Sequence, residues 1–137
     1  MEDGKKDIRW KQRFQNYGKA FNRLRAAIEI VKKDPDNELL QCGLIQTYEF
    51  SIELAWKTLK DFLEEEGFMV QSPKSVVRQA YQSAYIDNVD DWIKALNDRN
   101  LTVHTYDDAV AAEVLKDINE RYFFMLEAFY NDFKARI

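Results

Sequence analysis

The chain contains a single histidine, His104, within the run Asp98-Arg99-Asn100-Leu101-Thr102-Val103-His104-Thr105-Tyr106-Asp107-Asp108. Near neutrality a histidine gives or takes a proton, and an arginine holds a phosphate through its planar fork. Together they supply what metal-independent cleavage of RNA requires: a base for the 2′-hydroxyl and a cation for the charge that gathers on the phosphate. Arg99 and His104 are five positions apart, so on one unbroken helix they would point roughly 140° away from each other. They converge only if the helix breaks between them or if two chains meet there. Asn100-Leu101-Thr102-Val103 is a poor helical run, with two β-branched residues and an asparagine, so a break is expected. His104 and Tyr106 then fall at or near a helix N-terminus, where free N–H groups and the dipole attract phosphate. The competing reading of the same spacing is a capping segment, with His104 a satisfied surface residue and Arg99 paired to a nearby Asp.

The elements that must position this segment read as long helices. Trp10, Phe14, Tyr17, Phe21, Leu24, Ile28 and Val31 recur at steps of four and three, which gives one apolar stripe on a helix from about residue 8 to 33. Asp34-Pro35-Asp36-Asn37 stops it. A second helix, about 38–66, carries Leu40, Leu44, Ile45, Tyr48, Ile52, Leu54, Ala55, Leu59, Phe62 and Leu63 over more than one face. It therefore lies centrally or meets a second chain, and Gly67 is its expected C-terminal cap. Ser72-Pro73 opens a short helix to about Tyr85, and a further helix passes through Trp92, Ile93 and Leu96. The last begins between Thr105 and Asp108 and runs to about Ala135, on a stripe of Val114, Ile118, Tyr122, Met125 and Phe129. The expected fold is all-α: one domain over residues 1–137, an antiparallel up-and-down four-helix bundle with one or two short extra helices.

Composition agrees with a packed domain. The 137 residues are 46% hydrophobic and 32% charged, with only 4 glycines and 2 prolines, a globular balance with little turn punctuation. The net charge of −4 argues against a broad basic nucleic-acid surface. Any RNA contact must be local, or be assembled from two chains. The lone Cys42 excludes an internal disulfide and a thiolate metal site. It reads as a buried thiol in a reducing compartment. The start, MEDGKKDIRW, lacks the apolar stretch of a signal peptide, and no uncharged stretch nears membrane-spanning length. The expected location is the cytoplasm, and no metal or cofactor is expected, because a lone His with scattered carboxylates has no recognisable ligand spacing.

Several other residues have two readings. Glu49, Glu53 and Lys57 follow at intervals of four, as a solvated stripe with a Glu53–Lys57 pair, or with Glu49 or Glu53 reaching over to orient Arg99 or His104. The solvated stripe is preferred. Trp56, Trp92 and Tyr122-Phe123-Phe124 could stack on bases but read better as core or interface. Lys5, Lys6, Arg9, Lys11 and Arg13 form the most basic stretch and read as a solvated face. Asp107 and Asp108 read as first-turn acids.

The chain resembles the nucleotidyltransferase substrate-binding proteins, a branch of the HEPN superfamily. The resemblance runs through Arg9-Trp10-Lys11-Gln12-Arg13-Phe14, Gly43-Leu44-Ile45-Gln46-Thr47-Tyr48-Glu49-Phe50, Glu53-Leu54-Ala55-Trp56-Lys57 and Ser72-Pro73-Lys74. It ends in Arg99-Asn100 and His104-Thr105-Tyr106-Asp107, which fit R-x4-H-x-Y without departure. The resemblance implies a homodimeric up-and-down bundle that works with a small MNT-type nucleotidyltransferase. In the toxin–antitoxin branch it implies an endoribonuclease silenced when that partner transfers AMP to the motif tyrosine. Arg99 would then bind and polarise phosphate, His104 would be the acid/base, Asn100 an orienting residue and Tyr106 the acceptor. AMP two residues from His104 would bring charge and bulk to the site that takes RNA. The alternative within the family is a non-catalytic substrate-binding subunit of a two-component nucleotidyltransferase. No Gly-Ser with spaced aspartates is present, so the chain is not itself a transferase.

Overall fold

The computed structural model describes residues 2–101 and 107–137, with side chains at residues 8–99 and 107–137. Helix α1 spans Glu2–Lys33, α2 Glu38–Glu65, α3 Pro73–Gln82, α4 Val89–Leu101, α5 Asp108–Asp117 and α6 Phe123–Lys134. A π-helical turn, Ile118–Tyr122, joins α5 to α6. His104 and Tyr106 lie outside the described residues.

The ends of the helices follow local chemistry. Asn37 caps α2 by accepting from the Leu40 N–H at 3.1 Å, and Ser72 caps α3 by accepting from Ser75 N–H at 3.1 Å, with Pro73 at the first helical position. At the far end of α2, Gly67 (φ +97°) lets its own N–H reach Glu64 O and the Phe68 N–H reach Leu63 O, which satisfies two orphan carbonyls. Helix α3 closes by the same pattern, with Ala84 N–H to Tyr81 O and Tyr85 N–H to Ala80 O. There the left-handed residue is Ala84 (φ +62°) rather than a glycine. The short helix therefore ends earlier than Tyr85, at a turn that no Gly or Pro announces.

The α1 stripe from Trp10 to Ile28 is buried throughout. Its contacts run in the opposite sense along α6: Trp10 meets Phe133, Phe14 meets Phe129, and Phe21 meets Phe123. Helix α4 is likewise antiparallel to the final helix, with Trp92 against Phe129 and Asp98 against Tyr122. The long α1–α2 contact across a four-residue turn completes an up-and-down bundle, with α3 as the short extra helix. Helix α2 touches every other helix except the π turn in the main contacts, so its wide apolar surface serves a central position. The all-α expectation holds.

Two further details differ from the sequence reading. Cys42 is exposed, not buried: it lies in the first turns of α2, where only residues from Leu44 onward turn inward. Helix α4 persists through Leu101, so Asn100 and Leu101 continue the helix despite weak propensity. Residues 102–106 lie outside the described residues.

Left-handed geometry costs an alanine about 1 kcal/mol, so Ala84→Gly should raise unfolding stability by roughly 0.5–1 kcal/mol. Urea denaturation measures this, and a loss of stability would contradict the strain at Ala84. Phe129, 3% exposed between α1, α4 and α6, should cost about 3–5 kcal/mol as Phe129→Ala. The 58% exposed Phe124 should cost under about 1 kcal/mol in the same assay.

Candidate functional site

Arg99 sits in the last turn of α4. Its Nη1 donates to Glu53 Oε2 at 2.9 Å, with the two side chains 21% and 37% exposed. The guanidinium is thus half-buried and positioned by a carboxylate from α2. Glu53 also faces Lys57 at 3.6 Å one turn along α2. Both readings of Glu53 coexist: it pairs along its own helix and bridges to the motif arginine. Glu49 is half-buried on the same helix, and among the described residues it makes no ion pair.

Beneath Arg99 lies a polar cluster inside the bundle. Asp98 and Asp117 are buried, and Lys94 reaches both, at 3.3 Å to Asp98 Oδ2 and 2.5 Å to Asp117 Oδ2. The Tyr122 hydroxyl donates to Asp98, and the Tyr48 hydroxyl donates to the Ala95 carbonyl at 2.5 Å. The two tyrosine rings stack with centroids 5.3 Å apart. Burying carboxylates is costly unless each is paired and hydrogen-bonded. Here one ammonium and one hydroxyl meet that demand. Arg121 adds a looser contact to Asp117 at 3.9 Å.

The electrostatics follow from this packing. Burial raises the Tyr122 hydroxyl well above the ordinary tyrosine range, and its bond to Asp98 and that carboxylate's charge raise it further. Burial raises Tyr48 too, with Asp98 adding to the shift and Arg99 opposing it. For Lys94 burial acts against the charge, but the bonds to Asp117 and Asp98 outweigh it and hold the ammonium above its usual value.

The sequence reading did not find Lys94, Asp98 or Asp117. The Lys94–Asp98 spacing of four was visible, but only the fold brings Asp117 and Tyr122 to it. Tyr122 and Trp92 are core residues and Trp56 packs half-buried against the core, whereas Phe124 faces solvent. In the basic stretch, Arg9 pairs with Glu64 at 3.5 Å and Arg13 with Asp61 at 2.6 Å, so part of it stitches α1 to α2. Asp107 is the α5 cap itself, accepting from the N–H groups of Ala109 and Val110, and Asp108 is the first-turn acid. Among the described residues no group of three His, Cys, Asp or Glu is placed to hold a metal ion, and no helix is long and apolar enough to cross a membrane.

Residues 12–135 match the family model described as "Nucleotidyltransferase substrate binding protein like". The chain belongs to this family. A Haemophilus influenzae (strain Rd) relative named "Probable ribonuclease HepT" is 29% identical over 96 residues, which is 66% of this chain and 64% of that protein. The chain thus matches less than two thirds of that relative's length. A crystallised protein of Thermus thermophilus is 27% identical with a TM-score of 0.75, covering 84% of this chain and 96% of that one. A second solved structure, from Haemophilus influenzae and described as revealing the fold of a substrate binding domain of a nucleotidyltransferase, has a TM-score of 0.75 at 22% identity over 88% and 98% of the two chains. The likeness to that last structure shows a shared fold. Residues 12–135 take in α2, α4 and α5 entirely, so the Glu53–Arg99 bridge falls inside the substrate-binding-protein domain.

The raised tyrosines and lysine give this domain an alkaline limit. Above about pH 10 an unfolded tyrosine ionises while buried Tyr122 keeps its proton, so the native state binds more protons and stability falls as pH rises. The contribution is complete below that pH and declines toward the raised native values. Tyr122→Phe should cost about 1–3 kcal/mol at pH 7 by stripping Asp98 of a donor and should flatten the loss of stability between about pH 9.5 and 11. Thermal melts across that range would refute the assignment if the variant loses stability as steeply as the native chain.

Proposed function

We propose that this chain is the HEPN subunit of a toxin–antitoxin pair, a metal-independent endoribonuclease silenced by AMP transfer to Tyr106 from an MNT-type nucleotidyltransferase partner. The observation that carries the reading is the partly open Arg99 guanidinium held by Glu53 at 2.9 Å. A guanidinium positioned by a carboxylate at the end of a helix has the charge and planar fork that recognise phosphate. His104 lies five residues on and takes the acid/base role: it removes the 2′-hydroxyl proton as that oxygen attacks phosphorus and returns a proton to the 5′-oxygen as the P–O5′ bond breaks, while Arg99 stabilises the charge on the non-bridging phosphate oxygens. Asn100 orients the reacting groups, and Glu49 stands in support on α2. An AMP group on Tyr106, two residues from His104 in the sequence, would bring negative charge and bulk that oppose the binding of RNA. The chain works as a homodimer within a larger complex with its partner in the cytoplasm. The relative named as a probable ribonuclease supports cleavage. The family description supports a second reading, a non-catalytic subunit that helps hold a nucleotidyltransferase's substrate.

Expression without the partner should slow growth, and purified protein should cut single-stranded RNA in the presence of a chelator. His104→Ala should lower the cleavage rate about 10²–10⁴-fold. Glu53→Gln, which leaves Arg99 less firmly aimed, should lower it roughly 10- to 100-fold. Intact mass after co-expression with the neighbouring transferase should show an AMP-sized increment that disappears in Tyr106→Phe. Wild-type protein that cuts no RNA and carries no increment, yet activates the transferase, would establish the second reading instead.

A further inference from the structure

Glu53, the α2 partner of Arg99, also lines a groove between α1 and α2. One wall is an i, i+3, i+7 strip of α1, Asn16, Lys19 and Arg23, and the other is the strip of α2 that carries Phe50, Glu53 and Leu54. The Phe50 ring is 57% exposed, and Lys19 and Arg23 are exposed beside it, each without an ion pair to any described residue. An aromatic ring left in water beside two unneutralised cations is unusual on a chain of net charge −4. The groove's single carboxylate, Glu53, is already met by Arg99 and Lys57, so the groove carries a local excess of positive charge. This is the local concentration of charge that an otherwise acidic protein needs to hold a polyanion.

We propose that this groove binds single-stranded RNA beside the bond to be cut: one base stacks on Phe50 while its flanking phosphates lie on Lys19 and Arg23. The inference rests on the ribonuclease reading, which it extends from the scissile phosphate to a neighbouring nucleotide. Stacking on an aromatic ring with cations tracking the backbone is how single strands are held without sequence preference. Phe50 and Glu53 are adjacent on one helix face, so the stacked nucleotide sits directly beside the Arg99 site. Asn16 offers a polar group to the base or sugar edge.

The test uses a fluorescently labelled eight-residue oligouridylate, with fluorescence anisotropy measured on full-length His104→Ala protein so that binding is read without cleavage. Adding Phe50→Ala should weaken binding about 5- to 100-fold, with Phe50→Trp restoring it. Lys19→Gln with Arg23→Gln should weaken it and reduce the slope of log affinity against log salt by about 1.4, the share of two phosphate contacts on a single strand. ATP at the same concentration should compete poorly, since it offers one base and no continuing strand. Undiminished RNA binding in both groove variants would overturn the proposal, as would tight ATP binding abolished by the same changes, which would assign the groove to a free nucleotide. A change in oligomeric state of RNA-free Phe50→Ala, by light scattering, would also overturn it, because a second copy would then cover the ring. Cleavage by the native chain is scored separately: active enzyme with an irrelevant groove leaves the ribonuclease reading standing, and groove binding without cleavage removes that reading alone.

Discussion

Two carboxylates that share one lysine, Asp98 and Asp117, are buried inside a bundle lined mostly with aromatic and aliphatic side chains, and much of the architecture answers to them. Such groups are tolerable only with donors at hydrogen-bond distance. Lys94 supplies the charge, Tyr122 supplies a hydroxyl, and Tyr48 stacks on Tyr122 to exclude water from the far side. The result ties α2, α4 and the α5–α6 helix to one point. Arg99 follows Asp98 directly in sequence. The end of α4 that presents the guanidinium is therefore anchored by the residue before it and aimed by Glu53 from α2.

The division of labour along α4 explains the balance between stability and access. Trp92, Ala95 and Leu96 are buried in the core, Asp98 serves the polar cluster, and the Arg99 side chain is half-buried at the helix end. At a helix end, backbone groups and side chains emerge together, and Arg99 sits at such an end.

Much of this was legible in the sequence. The α1 stripe from Trp10 to Ile28 and the caps at Asn37, Ser72 and Gly67 follow from periodicity and local turn chemistry, and the structure has them in place. The Arg99 segment was visible because its residue types are unusual together. What could not be read were features set by tertiary approach. Glu53 gives no sign that a residue 46 positions on will face it, and its solvated reading was preferred for that reason. Lys94 and Asp117 look like ordinary surface charges until the helices are assembled. Cys42 followed the usual burial of its residue type and was misplaced, because residue type says nothing about which face of α2 turns inward at its first turns. Ala84 holds a conformation normally signalled by glycine, so the end of α3 had no marker.

The π turn between Ile118 and Tyr122 carries a consequence for chain length. Val114 and Phe133 are 19 positions apart, which on a regular α-helix leaves the last roughly 100° out of line with the first. A wider turn accommodates one extra residue and brings both halves of the stripe back onto the core. A homologue one residue shorter here would keep both halves in phase on an unbroken helix. It would lose the local offset that delivers Tyr122 to Asp98. A single-residue gap at this point, neutral for the bundle, would therefore distinguish members that retain the polar anchor beneath the arginine from members that have let it go.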